Sequence, residues 1–158
     1  MTNSLTRKYE YRRRLPHYQN PGRTIFVTFC KLVRTPFSEP ARDLILAHCI
    51  DDHGKRMDLK AAVVMPDHVH LLLKPLADQQ GWPFPLSFIL KLIKGTSART
   101  VNQLMGTSGP VWQEESFDHV LRSEESLEDK LEYIRQNPLR KNLVVRPEAY
   151  PWLWLPPK

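Results

Sequence analysis

Strand-like and helix-like segments alternate along this chain in the order β-α-β-β-α-β, with one further helix. That order predicts an α+β, ferredoxin-like fold: an antiparallel sheet with helices on one face plus a C-terminal helix. Two other observations support it. The extended segments are rich in β-branched and aromatic residues and bounded by Pro, Gly and Asp, whereas the longer segments repeat apolar residues near every 3.6 positions. With 158 residues, 41% hydrophobic and 25% charged, the chain has material for one globular domain with its own core.

Residues 24–33 (TIFVTFCKLV) follow Pro21-Gly22 and read as the first strand. Residues 39–52 place Leu44, Ile45, Ala47 and Cys49 in a helical pattern that His53-Gly54 ends. Residues 57–65 and 68–74 read as two strands joined by Pro66-Asp67, and 75–85 as a loop with Gly81 and three prolines. Residues 86–105 form a longer helix with Leu86, Ile89, Leu90, Ile93, Val101 and Leu104 as its apolar stripe; Ser87, Lys91, Lys94 and Arg99 make a basic face opposite. After the break at 106–110, residues 111–122 read as a strand. Residues 124–136 read as a helix that Ser123 caps, with acids in its first turn. Asn137-Pro138 reads as a stop, since the residue before proline avoids the helical region.

In this topology the first and third strands are central. His68 and His70 lie on the third, at a spacing that puts both imidazoles on one face. Such a pair in an apolar run is costly to bury without partners. It either grips a metal ion, faces solvent, or is buried and satisfied by hydrogen bonds. On the terminal helix Leu127, Leu131 and Ile134 form the core stripe, and Lys130, Tyr133 and Asn137 share one flank of it. His119 alternates with Phe117 and Leu121, which favours a structural role over one beside a site; Trp112 reads as packing.

The formal net charge is +6, which favours polyanions, and nucleic acid first among them. No apolar run approaches the ~20 residues of a membrane span, so no membrane partner is expected. The two cysteines have no metal-type spacing, and residues 1–17 are polar and basic rather than a secretory signal, so a reduced, cytoplasmic location is expected. The expected organisation is one domain over 1–158, with a basic arm at 1–20, the terminal helix within 123–143 and a tail at 144–158.

A series of stretches then resembles the REP-associated tyrosine transposases, a branch of the single-tyrosine HUH transposase superfamily. They are Arg14-Leu15-Pro16-His17, Phe26-Val27-Thr28-Phe29, Val64-Met65-Pro66-Asp67-His68-Val69-His70-Leu71 and Lys94-Gly95-Thr96-Ser97-Ala98-Arg99. Val111-Trp112-Gln113, Phe117-Asp118-His119-Val120-Leu121-Arg122 and Tyr133-Ile134-Arg135-Gln136-Asn137-Pro138 complete the series, in the family's order.

The resemblance implies that Tyr133 is the nucleophile and that His68, His70 and Asn137 are metal ligands. It also implies Mg²⁺ or Mn²⁺ as cofactor and single-stranded or hairpin DNA as partner. From the residues alone two imidazoles favour Mn²⁺ or Zn²⁺; Mg²⁺ enters through the resemblance. A free tyrosine is protonated at neutral pH and needs activation. Arg12, Arg13, Arg14, Lys91, Lys94, Arg99, Arg140, Lys141 and Arg146 are candidate phosphate contacts, about half of which are expected to matter.

Two departures stand out. Asn142 occupies a position where that branch commonly has Gly, and Asn tolerates the left-handed region next best. The tail Pro151-Trp152-Leu153-Trp154-Leu155 is more apolar than the family's ending. The leading expectation is a metal-dependent enzyme that nicks and rejoins hairpin-forming DNA through a 5′-phosphotyrosine, acting as a monomer or homodimer. The alternative is a domesticated hairpin-binding protein with little cleavage. A histidine-triad hydrolase needs a third alternating histidine where Leu72 stands, and a cupin needs an all-β chain.

Overall fold

The computed structural model describes residues 22–158, so the basic run Arg12–Arg14 lies outside the described residues. Five strands, β1 (Ile25–Cys30), β2 (Met57–Val64), β3 (His68–Pro75), β4 (Phe117–Val120) and β5 (Leu153–Trp154), form one sheet in the order β4-β1-β3-β2-β5. Every pairing is antiparallel. The central strands are β1 and β3, as the sequence predicts.

Alternation sorts the side chains of those strands. Ile25, Val27 and Phe29 of β1 and their partners Leu73, Leu71 and Val69 of β3 are buried on one face. Helices α1 (Glu39–Asp51) and α2 (Leu86–Met105) pack there. Trp112 meets Phe29 edge-on at 4.7 Å and donates its indole N–H to the buried Ser97 of α2. Ser38 caps α1 by accepting from the Ala41 N–H, and Gly106, at φ 65°, closes α2.

Phe26, Thr28 and Cys30 point to the other face, opposite Leu72, His70 and His68. Helix α3 (Glu124–Arg140) crosses this face and packs on β2 and β3. The helices therefore divide, α1 and α2 on one side and α3 on the other. Layers on both sides explain why Ala61, Ala62, Val63 and Val64 of β2 are buried in succession.

Three details differ from expectation. Helix α3 does not stop before Pro138 but runs on to Arg140. Proline there costs the bond to the carbonyl of Ile134, yet Pro138 is buried and the end is closed in the pattern of a Schellman motif. Leu143 N–H bonds Pro138 O, Asn142 N–H bonds Leu139 O, and Asn142 sits at φ 57°, the left-handed conformation anticipated for it. The strand expected over 111–122 is only Phe117–Val120. Trp112 bridges Lys31 and Phe117 pairs with Thr28, so three steps along β1 face five on the other chain, and 114–116 loop out. Leu104 is exposed, because α2 outruns the sheet it packs against.

The tail, finally, has a structural use. Tyr150 donates its buried hydroxyl to Val64 O at 2.6 Å, and the Trp152 indole donates to Asp43 of α1 at 2.7 Å. Leu153–Trp154 adds an outer strand to β2. Among the described residues no helix is long and apolar enough to cross a membrane.

Candidate active site

The open face of the sheet gathers the histidine pair and the tyrosine. The rings of His68 and His70 lie 4.7 Å apart between centroids, and the Tyr133 ring stands edge-on to His70 at 5.6 Å. Phe26 joins them, stacked on His70 at 5.2 Å and edge-on to Tyr133 at 5.8 Å. Four residues of α3, Lys130, Tyr133, Asn137 and Arg140, share one stripe because they are spaced three, four and three apart. That stripe survives because Pro138 leaves the helix unbroken.

Each imidazole is oriented through its Nδ1. His68 Nδ1 hydrogen-bonds the Asp67 carboxylate at 2.7 Å, and Asp67 in turn accepts from Arg34 Nε at 2.8 Å. His70 Nδ1 pairs with the Thr28 hydroxyl at 2.8 Å. Both Nε2 atoms are thus left for a ligand, in the way outer partners fix metal-binding histidines. Burial, reinforced by the positive potential of His68, Arg140 and Lys130, pushes His70 down to about 3, so its ring is neutral and its lone pair available. Burial raises the Asp67 carboxyl, but hydrogen bonds from His68 and Arg34 outweigh it and hold the group below its ordinary value.

Asn137 is 3% exposed, and its side-chain amide makes no hydrogen bond to any described residue. Its amide atoms are not among the buried side-chain atoms that lack a partner, so they keep access to solvent and to a ligand. Among the described residues no three His, Cys, Asp or Glu side chains gather around a point. Two imidazoles and an amide oxygen are therefore the donor set that could hold a divalent cation, with positions left for water or phosphate oxygens.

Tyr133 is 41% exposed and flanked by cations. The Arg140 guanidinium lies 4.3 Å from its ring centroid and also donates to the Tyr133 carbonyl; Lys130 Nζ lies 5.4 Å from the same ring and 4.7 Å from that of Phe26. The sequence signalled Lys130 by its flank and Arg140 as a basic residue. Composition and helical period do not mark Asp67, Thr28 and Phe26 as supports. An acid directly before the first histidine, and strand alternation opposite the second, are the signals that find them.

The other candidate phosphate contacts are dispersed. Lys141 is exposed at the end of α3. Lys91 and Arg99 are exposed on α2, across the sheet from Tyr133. Lys94 donates to Gln113 O, Glu114 O and Ser116 Oγ, so its ammonium ties the 113–116 loop to α2. A cavity of about 600 Å³ opens between α2 and 110–118, also away from the imidazoles. The gathered residues occupy an exposed sheet face rather than that cavity. His119, expected to be structural, is exposed on the same face as Phe26, because β4 is an outer strand that none of the described residues covers on this side.

A ferredoxin-like sheet that presents paired histidines beneath a tyrosine-bearing helix defines the class. The family model described as "Transposase IS200 like" matches residues 27–137, and the chain belongs to that family of transposases. A Haemophilus influenzae protein assigned to the REP-associated tyrosine transposases is 23% identical over 97 residues, covering 58% of this chain; the match spans about half the length of that relative, 55%. A solved REP-associated tyrosine transposase bound to a REP hairpin superposes with a TM-score of 0.67 at 20% identity, over 85% of this chain and 77% of its own. A bacterial tRNA(His) guanylyltransferase-like protein in complex with GTP reaches 0.57 at 11% identity, over 84% and 69%, which is a likeness of fold alone.

Proposed function

We propose that this chain is a metal-dependent DNA strand-transferase that nicks and rejoins hairpin-forming single-stranded DNA through Tyr133. The observation that carries the reading is the tyrosine ring 5.6 Å from His70, on the face where both imidazoles are already oriented through Nδ1. His68, His70 and Asn137 would hold a divalent cation, Mg²⁺ or Mn²⁺. When bound, it polarises the scissile phosphate and offsets charge that develops there.

The Tyr133 oxygen attacks phosphorus, forming an O–P bond as the P–O3′ bond breaks. The phenolic proton leaves to solvent and the departing 3′-oxygen takes one up, giving a 5′-phosphotyrosine and a free 3′-hydroxyl. Ester energy is kept, so a second 3′-hydroxyl can reverse the step elsewhere. Arg140 and Lys130 supply positive potential to the phenolic oxygen and the phosphate it meets. Arg140 and Lys141, at the same helix end, are the candidate phosphate contacts nearest in sequence to the nucleophile; Lys91 and Arg99 serve only if the strand wraps to the other side of the sheet.

The test is incubation of the protein with a hairpin oligonucleotide bearing single-stranded flanks, with Mn²⁺ or Mg²⁺. A covalent protein–DNA adduct that Tyr133→Phe abolishes supports the reading. Tight hairpin binding without adduct, over a panel of flanks and both metals, would replace it with the binding-module alternative.

A further inference from the structure

Strand β4 carries two rings that the chemistry above does not use. Its register sets Phe117 opposite Thr28 and His119 opposite Phe26, so both project from the face that bears His70 and Tyr133. Phe117 is 58% exposed and His119 is exposed, and neither ring meets another ring or a hydrogen-bond partner among the described residues. Helix α3 roofs this face over β2 and β3 but leaves it open over β4. An aromatic row therefore runs from Tyr133 through Phe26 to His119 at the edge of the sheet, with Phe117 beside it.

We propose that Phe117 and His119 form a stacking platform for unpaired bases of the DNA strand beside the phosphate that Tyr133 attacks. The inference rests on Tyr133 marking where the strand lies, and it adds what holds the flanking nucleotides. Two residues apart on a strand, the rings stand about 7 Å from each other, far enough to take different bases. Aromatic side chains on an open sheet face hold single-stranded bases in this manner in other nucleic-acid-binding folds. Such stacking tolerates any base, because every base presents a π-face.

The charge pattern fits the same occupant. Exposed Arg122 follows β4, and Lys130 lies over Phe26, so cations flank the row where a backbone would run. A protein partner would more naturally pair with the free edge of β4 than rest on two isolated rings.

The experiment uses Tyr133→Phe protein, so that binding is read without cleavage. Two fluorescent probes are compared: one hairpin with a single-stranded flank carrying 2-aminopurine, and the same hairpin with blunt ends. Phe117→Ala is expected to weaken the flanked probe by about 5- to 100-fold and to relieve 2-aminopurine quenching. Blunt-hairpin binding should stay unchanged, and Phe117→Trp should restore both signals; His119→Ala should act in the same direction. Because Phe117 is exposed, an unchanged melting temperature checks the fold. Equal affinity of the Tyr133→Phe protein with and without Phe117→Ala for the flanked probe overturns the platform, as does equal loss on both probes. Flank-specific loss together with no adduct from the wild-type protein would keep the platform and remove the cleavage reading.

Discussion

The two faces of β1 and β3 are built from alternate residues of the same two strands, yet they answer to different demands. On one, Val27, Phe29, Val69 and Leu71 alternate into a closed aliphatic and aromatic layer under α1 and α2. On the other, the residues between them are Thr28, Cys30, His68 and His70, and the two imidazoles and the threonine hydroxyl are matched to specific partners. Stability lives on the first face and the proposed chemistry on the second. Because the strands are central, the closed face holds the open one rigid, which a preorganised site requires.

The largest test of that division compares neighbours. Phe29→Ala should cost about 3–5 kcal/mol in urea unfolding, since it removes a fully buried ring against Trp112. Cys30→Ala, one residue on and half-buried, should cost about 0.5 kcal/mol. Equal costs would mean that the open face is also core.

A smaller effect sharpens the chemistry. Asp67→Ala should weaken Mn²⁺ binding, read by calorimetry, by about 10- to 100-fold, while melting changes little. Unchanged affinity would show that the Asp67–His68 hydrogen bond does not orient a ligand.

The smallest effect concerns the thiols. Burial pushes Cys49 up to about 12, whereas Cys30 lies on the open face opposite His68. Iodoacetamide should modify Cys30 in the native protein and reach Cys49 only on unfolding. Between the ordinary thiol value of 9.0 and about 12 the unfolded chain releases a proton that the folded one keeps. Cys49 therefore lowers stability as pH rises through that window and contributes nothing below it. Denaturation midpoints that do not fall between pH 9 and 10 would contradict this.

Much of this was legible in the chain. The His-Val-His alternation placed both rings on one face, and the period of α2 located Leu86–Met105 at its observed bounds. What the sequence could not convey was tertiary compensation. Pro138 reads locally as a stop, but its burial and the closure through Asn142 carry the helix past it, which keeps Asn137 on the Tyr133 stripe. Likewise, alternation with Phe117 and Leu121 favours a structural role for His119, because period alone does not reveal which strand is outermost. Lys94 reads from the sequence as a phosphate contact, whereas in the fold it donates to the 113–116 loop, which no local pattern anticipates.

The tail has a consequence for solubility. A sheet grows from chain to chain wherever an outer strand offers a run of unpaired amides. Here the β2 side ends in a strand of only two residues, Leu153–Trp154, set between Pro151 and the pair Pro156-Pro157. Prolines have no N–H to donate, so the segment that fastens Tyr150 and Trp152 to the fold also gives that border almost no ladder for another molecule to extend.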